Sequence, residues 1–287
     1  MKPPEFDYSA PESLSEAIEL LRGSAEAKVL AGGQSLIPLL NFRLASPSLL
    51  VDLRRVPGLD GIRWENGSVR IGAMVRQRRA EESELLAEAC PLAVEALRHV
   101  AHPQIRSRGT VGGSIAHGDP AAELPAVLVA LDGRVRAARP AGERWIEARD
   151  LFATFFTTSL AQDEILTEVE LPSAPPRTGA ACVEVARRAG DYALCGAVAQ
   201  VTLAEDGSVA DARLALFGVG RRPVRARAAE ELMRGEHPDP DSIAAAAQTA
   251  GEGLSPPDDV QATAAYRIHS ARVLARRALE QALERAH

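Results

Sequence analysis

Two pairs of adjacent glycines, each flanked by short hydroxyl side chains, constrain this chain more than any other feature of its sequence. One pair lies in Ala31-Gly32-Gly33-Gln34-Ser35 and the other in Thr110-Val111-Gly112-Gly113-Ser114. Paired glycines adopt backbone angles that other residues resist, and they let a ligand touch the main chain. Successive amide N–H groups can then converge on an anion. A lone Gly-Gly pair is more often a plain tight turn, but two hydroxyl-flanked pairs predict two loops that bind one phosphate-bearing ligand.

The spacing of these glycines excludes two common nucleotide-binding motifs. Neither segment fits G-x-G-x-x-G or the P-loop pattern G-x-x-x-x-G-K-S/T, so a Rossmann or P-loop interpretation fails on the residues themselves. The first segment follows an apolar strand predicted at 27–31 and precedes a helix predicted from Leu36, whose start would favour phosphate. A dinucleotide fits two such loops, although spacing alone does not identify it.

Hydrophobic periodicity divides the chain into three regions. In the first, Ser13 starts a capping box, a helix ends near Gly23, and strands are predicted at 27–31 and 49–53. This order predicts a small α/β unit ending near Pro57. The middle region predicts strands at 69–73, 134–138 and 165–171 and a helix at 77–101 broken near Pro91, and three prolines at 172–176 mark its end.

The last region is predicted to begin with strands and to end with helices. The closing helix is predicted to present one apolar face, made of Ile268, Val273, Leu274, Leu279 and Leu283. The predicted elements of this region are strands at 182–186, 197–203 and 209–217, then helices at 224–233, 242–251 and 264–286.

Composition excludes several classes of function. The net charge of −6 argues against a large nucleic-acid surface. No apolar run approaches the roughly 20 residues of a membrane helix, and the first residues lack the apolar core of a signal peptide, so we expect a cytoplasmic protein without a transmembrane segment. The three cysteines stand far apart and predict neither disulfides nor a metal site. His99 and His102 lack a third ligand, which favours a surface pair over a metal site.

Four segments in order resemble one family, the FAD-binding flavoprotein subunits of carbon monoxide dehydrogenase and xanthine dehydrogenase. Residues 27–36 resemble its first FAD loop, and residues 104–114 with the continuation at 119–126 resemble its second. Arg187-Arg188-Ala189-Gly190-Asp191-Tyr192-Ala193 is similar to a third signature, and residues 217–226 are similar to a fourth. The order and spacing agree over nearly the whole chain.

The resemblance implies an α+β fold with FAD as the cofactor. A two-part FAD-binding domain of the PCMH type, a small α/β unit plus a mixed α+β unit, would precede a C-terminal domain of small antiparallel sheet and helices. The implied bounds are 1–57, 58–173 and 177–287. The implied partners are a molybdopterin-binding large subunit and a small subunit with 2Fe–2S clusters. Electrons would pass from these clusters to FAD and leave to NAD, a quinone or another acceptor.

The resemblance also implies the residues that hold FAD. Glu123 replaces an aspartate of many relatives, and Glu184 replaces a lysine that some relatives carry near the flavin. Tyr192 would cover one flavin face, competing with a role as an ordinary half-buried aromatic residue. The implied site consists of Lys28, Val29, Leu30, Ala31, Gly32, Gly33, Gln34 and Ser35, then Thr110, Val111, Gly112, Gly113 and Ser114, and finally Glu123, Leu166, Glu184, Asp191 and Tyr192.

Several alternatives stay open at this point. Asp191 could bind the cofactor or cap a turn, Arg106 could steady a phosphate, and His117 could reach the flavin. No Ser–His–Asp or Cys–His arrangement is visible, so we expect no catalytic acid or base and no metal ligand. A stand-alone FAD-dependent oxidase with its own substrate pocket is the alternative to an electron-transfer subunit. A scaffold without FAD is a third hypothesis, against which both intact glycine segments argue.

Overall fold

The computed structural model describes residues 2–286 and begins with a small three-stranded parallel sheet, ordered β1-β3-β2. The Ser13 hydroxyl accepts a hydrogen bond from the Glu16 amide and caps the first helix, as predicted. Its elements are β1 (Asp7–Ser9), α1 (Leu14–Gly23), β2 (Ala27–Leu30), α2 (Leu36–Asn41) and β3 (Leu49–Asp52), followed by a 3-10 turn (Leu53–Arg55).

The second unit is a five-stranded antiparallel sheet, ordered β4-β5-β10-β6-β7, with helices on one face and a short two-stranded hairpin, β8–β9. Its strands are β4 (Ile62–Glu65), β5 (Ser68–Gly72), β6 (Arg134–Arg139), β7 (Gly142–Glu147), β8 (Phe152–Thr154), β9 (Thr157–Thr158) and β10 (Ile165–Pro172). Its helices are α3 (Gln77–Glu81), α4 (Glu84–Ala89), α5 (Pro91–His99), α6 (Pro103–Arg106), α7 (Val111–His117), α8 (Glu123–Ala130) and α9 (Ala148–Leu151).

The helix predicted at 77–101 is three helices rather than one. The Ser83 hydroxyl accepts a hydrogen bond from the Leu86 amide and starts α4, so the predicted helix is already interrupted about two turns before Pro91. Proline has no N–H to continue a helix but fits a first position, and Pro91 begins α5. The prediction recognised the break at Pro91 and missed the serine cap.

The third unit is a four-stranded antiparallel sheet, ordered β11-β12-β13-β14, covered by three helices. The helix predicted from Val224 begins at Arg227, because Val224 and Arg225 pair with β13 as an edge strand. The elements are β11 (Thr178–Ala186), β12 (Ala193–Leu203), β13 (Val209–Phe217), β14 (Val224–Arg225), α10 (Arg227–Met233), α11 (Pro240–Ala250) and α12 (Ala264–Arg285).

The closing helix α12 packs through small residues more than through the predicted apolar ones. Of the predicted face, Leu274 and Leu279 are buried, whereas Ile268, Val273 and Leu283 are only partly so. The buried stripe also contains Ala271, Ala275, Ala278 and Ala282. These alanines let the helix backbone lie directly on the sheet.

Helices α5 and α8 lie between the two larger sheets and join them. Both contribute to one buried cluster that contains Val69 and Val169 of the five-stranded sheet together with Val198 and Phe217 of the four-stranded sheet. The Phe217 ring occupies the space that a side chain at Gly196 would need. The cofactor-type segments predicted from the sequence lie at one edge of this sandwich.

Candidate functional site

The two glycine segments, far apart in sequence, adjoin in the fold. A β-carbon at Gly32 would lie 2.5 Å from the Arg108 carbonyl oxygen and 2.7 Å from the Gly109 α-carbon. A real β-carbon does not approach backbone so closely, so only glycine permits this contact. The first segment therefore packs against the chain that leads into the second.

The first segment presents a row of free backbone donors. Within residues 2–286, none of the amide N–H groups from Gly32 to Leu36 donates to another protein group. Gly33 has φ +73°, an angle that suits glycine, and the Gln34 side chain donates to the Gly32 carbonyl at 3.0 Å. Consecutive unbonded N–H groups held by such a turn form a nest for an anion. Helix α2 has only six residues, so the amides themselves contribute more than its dipole.

The second segment differs from the predicted loop, because it is the first turn of a helix. Thr110 is the N-cap of α7, and its hydroxyl accepts a hydrogen bond from the Gly113 amide at 3.0 Å. The Val111 and Gly112 amides donate to carbonyls of Val75 and Ala73. The expectation that these amides converge freely on an anion is therefore wrong. Their glycines instead allow a close packing contact, since a β-carbon at Gly112 would lie 2.5 Å from the Ala73 β-carbon.

One cleft of about 1170 Å³ collects most of the predicted site residues. Its wall comes from the first unit, from the start of α7 and α8, from the hairpin β8–β9 and from the loop before β12. The predicted residues on this wall are Lys28, Val29, Ala31, Gly32, Gly33, Gln34, Ser35, Thr110, Gly112, Gly113, Ser114, Glu123, Leu166, Asp191 and Tyr192.

Three predicted residues lie off the cleft wall. Leu30 lies behind Gly33, where its side chain comes within 3.3 Å of the position of a β-carbon at that glycine. Val111 is buried in the core shared by the two larger sheets. Glu184 lies on β11 and faces His99, with 3.8 Å between the carboxylate and the imidazole Nδ1.

The aromatic side chains at the mouth of the cleft come from two different loops. Tyr192 lines the cleft and is 72% exposed. Phe156, at the tip of the hairpin β8–β9, has φ +50° and lies against His117, with 5.1 Å between the ring centroids. The sequence prediction missed Phe156. The neighbouring aromatics Phe155 and Phe156 in a threonine-rich stretch were the available signal.

Burial changes the charge of the groups that line the inner cleft. Burial, with a smaller contribution from the negative charge of Glu184, raises the pKa of Glu123 to about 8. Burial also raises the pKa of Asp119 and lowers that of His117. At neutral pH Glu123 therefore stays largely protonated and His117 neutral, so the inner wall carries less negative charge than its residues suggest.

The Arg106 side chain has a structural role rather than a role in ligand binding. Its guanidinium donates two hydrogen bonds to the Glu81 carboxylate and two to the Val100 and Ala101 carbonyls at the end of α5. Four of the five guanidinium N–H groups thus serve the junction between α3, α5 and α6. Arg108 is exposed.

The described residues form neither a metal centre nor a membrane-spanning helix. Over residues 2–286 no group of three or more His, Cys, Asp and Glu side chains is arranged to hold a metal ion. Cys90, Cys182 and Cys195 are buried free thiols. None of the helices in the described part of the chain is long and apolar enough to cross a membrane.

Comparisons with known proteins agree with this architecture along the chain. Residues 4–174 match the family model of the FAD binding domain in molybdopterin dehydrogenase. Residues 180–282 match that of the CO dehydrogenase flavoprotein C-terminal domain.

Two relatives and one solved structure match over all or nearly all of their length. The chain is 45% identical to 6-hydroxypseudooxynicotine dehydrogenase complex subunit alpha of Paenarthrobacter nicotinovorans, over 100% of this chain and 97% of the relative. It is 42% identical to the nicotine 6-hydroxylase medium subunit of the same organism, over 98% and 99%. A carbon monoxide dehydrogenase structure from Hydrogenophaga pseudoflava, lacking the Mo-pyranopterin moiety of its molybdenum cofactor, superposes with a TM-score of 0.97 at 36% identity and covers 100% of both chains.

Proposed function

Because the chain belongs to the family of FAD-binding subunits of molybdopterin dehydrogenases, we propose that it is the electron-transfer subunit of such a complex. In this role it receives electrons from the 2Fe–2S clusters of a small partner subunit and passes them to NAD, a quinone or another acceptor. A molybdopterin-binding large subunit completes the proposed complex, and we place the complex in the cytoplasm.

The main structural support for this proposal is the row of unbonded amides from Gly32 to Leu36. A pyrophosphate needs several convergent donors in a sheltered place, and this row supplies them on the wall of a cleft large enough for a dinucleotide. The residues present therefore fit FAD. When bound, FAD supplies the redox chemistry, which the protein side chains lack.

The remaining cleft residues have simpler proposed roles. The Ser35, Thr110 and Ser114 hydroxyls offer uncharged polar contacts, so they add no negative charge beside a phosphate. Tyr192 offers an apolar ring face at the mouth. Leu166 lines the inner wall at the start of β10, where its backbone can contact the cofactor.

FAD titration of the purified full chain, followed by its absorption spectrum, tests the binding step. Gly32→Ala adds a β-carbon that collides with the Arg108 carbonyl and separates the two segments. We expect the dissociation constant for FAD to rise by at least about tenfold, equivalent to about 1.4 kcal/mol. Gly61→Ala is the matched control, because a β-carbon there meets nothing within 4 Å. Absence of flavin uptake by the unaltered chain, with its partners present, would remove the proposal.

Rapid mixing with the reduced iron–sulfur subunit tests the electron-transfer step. Bleaching of the flavin band only when that subunit is present supports an electron-transfer subunit. Flavin reduction by a small organic substrate without any partner would instead identify a stand-alone oxidase.

A further inference from the structure

A cluster of two acids and one partly exposed histidine extends from the cleft wall into the protein. Glu123, the first residue of α8, lines the cleft and is 9% exposed. Glu184 approaches from β11, and His99 approaches from the last turn of α5. Only 3.8 Å separates the His99 Nδ1 from a Glu184 carboxylate oxygen. Helices α5 and α8 and strand β11 thus bring their titratable groups to one place.

The negative charge of the Glu184 carboxylate is only partly balanced by neighbouring groups. Its Oε2 atom is buried and has no hydrogen-bond partner among the described residues. In the described part of the chain its ion pair is with His99, a partner that carries charge only when protonated. A buried carboxylate is normally paired or neutral. The charge of this pair is therefore variable, and Glu123 lies within its field.

We propose that Glu184 and His99 are positioning residues that act through Glu123 to set the affinity of the cleft for its dinucleotide. This inference rests on the proposed function, since it takes FAD as the occupant of the cleft. A protonated Glu123 adds no charge to the cleft wall, whereas an ionised Glu123 places a negative charge on the wall that also carries the amide row proposed to hold the pyrophosphate. The pair behind Glu123 decides at which pH that change occurs.

The two partners shift the ionisation of Glu123 in opposite directions. The negative charge of Glu184 raises the pKa of Glu123, and a protonated His99 lowers it. The nearby Glu184 carboxylate in turn raises the pKa of His99. The other titratable groups that face this cluster are Asp119 before α8, His117 on α7, Tyr192 before β12, Cys182 on β11 and Glu95 on α5.

A pH series of FAD affinities tests the inference on the purified full chain. The unaltered protein should bind FAD about tenfold more weakly once pH has risen past the Glu123 pKa of about 8, the effect of one added charge at close range in a partly buried site. The FAD affinity of Glu123→Gln should show no such step-like decrease with pH. In Glu184→Gln this step should occur at lower pH, and in His99→Gln at higher pH.

Glu88→Gln is the matched control, because it removes one carboxylate from an exposed position on α4. Its profile should follow that of the unaltered chain. Infrared spectra of the cofactor-free protein supply a second readout, a protonated-carboxyl band that disappears in Glu123→Gln. Circular dichroism confirms that each variant is folded.

The outcomes separate this inference from the proposed function. An affinity that does not change with pH, or a step that Glu184→Gln and His99→Gln move in the same direction, would overturn the role of the cluster while FAD binding stands. A chain that takes up no FAD at any pH would overturn both.

Discussion

Individual glycines of the site perform different tasks. Gly33 adopts a left-handed backbone angle, Gly32 lets two backbones touch, and Gly112 makes room for Ala73. Only the first task shapes the anion nest directly. The second task holds the nest against the chain that leads into α7, and the third packs α7 against the residue that follows β5. Replacing Gly32 or Gly112 therefore disturbs the cleft through packing rather than through a lost ligand contact.

We expect the Thr110 hydroxyl to contribute both to the stability of the fold and to cofactor binding. It is buried and caps α7 by accepting from the Gly113 amide. Thr110→Val should lower the free energy of unfolding by about 1 kcal/mol, typical of a lost cap, and should weaken FAD binding because Gly113 and Ser114 line the cleft. Urea unfolding and FAD titration measure the two effects.

Thr263 offers a control for Thr110. It caps α12 through the Tyr266 amide, and neither residue lines the cleft. Thr263→Val should cost a similar free energy and leave FAD affinity unchanged. Equal losses of FAD affinity in both variants would show that Thr110 acts only through general stability.

At the scale of elements, the packing of α12 on β11 depends on one glycine. A β-carbon at Gly179 would lie 1.9 Å from the Ala282 carbonyl oxygen of the helix. Gly179→Ala therefore forces the helix away from the sheet, and we expect a loss of about 1–3 kcal/mol in urea unfolding. Gly23→Ala is a suitable control, since a β-carbon there meets nothing within 4 Å. Equal stabilities of the two variants would contradict this packing.

Elements with a strong local signal could be predicted from the sequence, and others could not. The strand at 209–217 and the helix that begins after Ser13 were correctly identified, because apolar periodicity and a serine cap are local patterns. Helix α7 was missed because two glycines and a serine in its seven residues are poor helix formers. Strand β7 was missed because half of the residues in Gly142–Glu147 are charged and no apolar alternation is visible.

At the scale of the whole molecule, the cleft is built from segments that no short motif connects. The first unit, α7, the hairpin β8–β9 and the loop before β12 each supply part of its wall. The glycine segments could be found from sequence because their chemistry is local. The contacts of Phe156 with His117 and of Glu184 with His99 could not be found in this way, because each joins elements that are far apart in the sequence.

The ionisation of Glu123 also affects the stability of the whole molecule. The raised pKa of this residue determines whether the free energy of unfolding rises or falls with pH. Its pKa rises from an ordinary 4.5 to about 8 in the fold. Below the lower value both states are protonated. Between the two values only the unfolded chain releases the proton, so the free energy of unfolding falls as pH rises, and the loss is complete above about pH 8. Glu164 acts in another window, because Arg144 lowers its pKa and its contribution is lost only in acid.

Glu123→Gln should remove this pH dependence from the cofactor-free protein. Relative to the unaltered chain, the variant should gain a few kcal/mol at most between about pH 5 and pH 8, since each unit of pKa shift corresponds to about 1.4 kcal/mol. Urea unfolding at several pH values measures the difference, and Glu88→Gln should give a curve parallel to that of the unaltered chain. A parallel curve for Glu123→Gln as well would mean that Glu123 ionises normally in the fold, and the buried carboxyl would then carry its charge beside the bound cofactor.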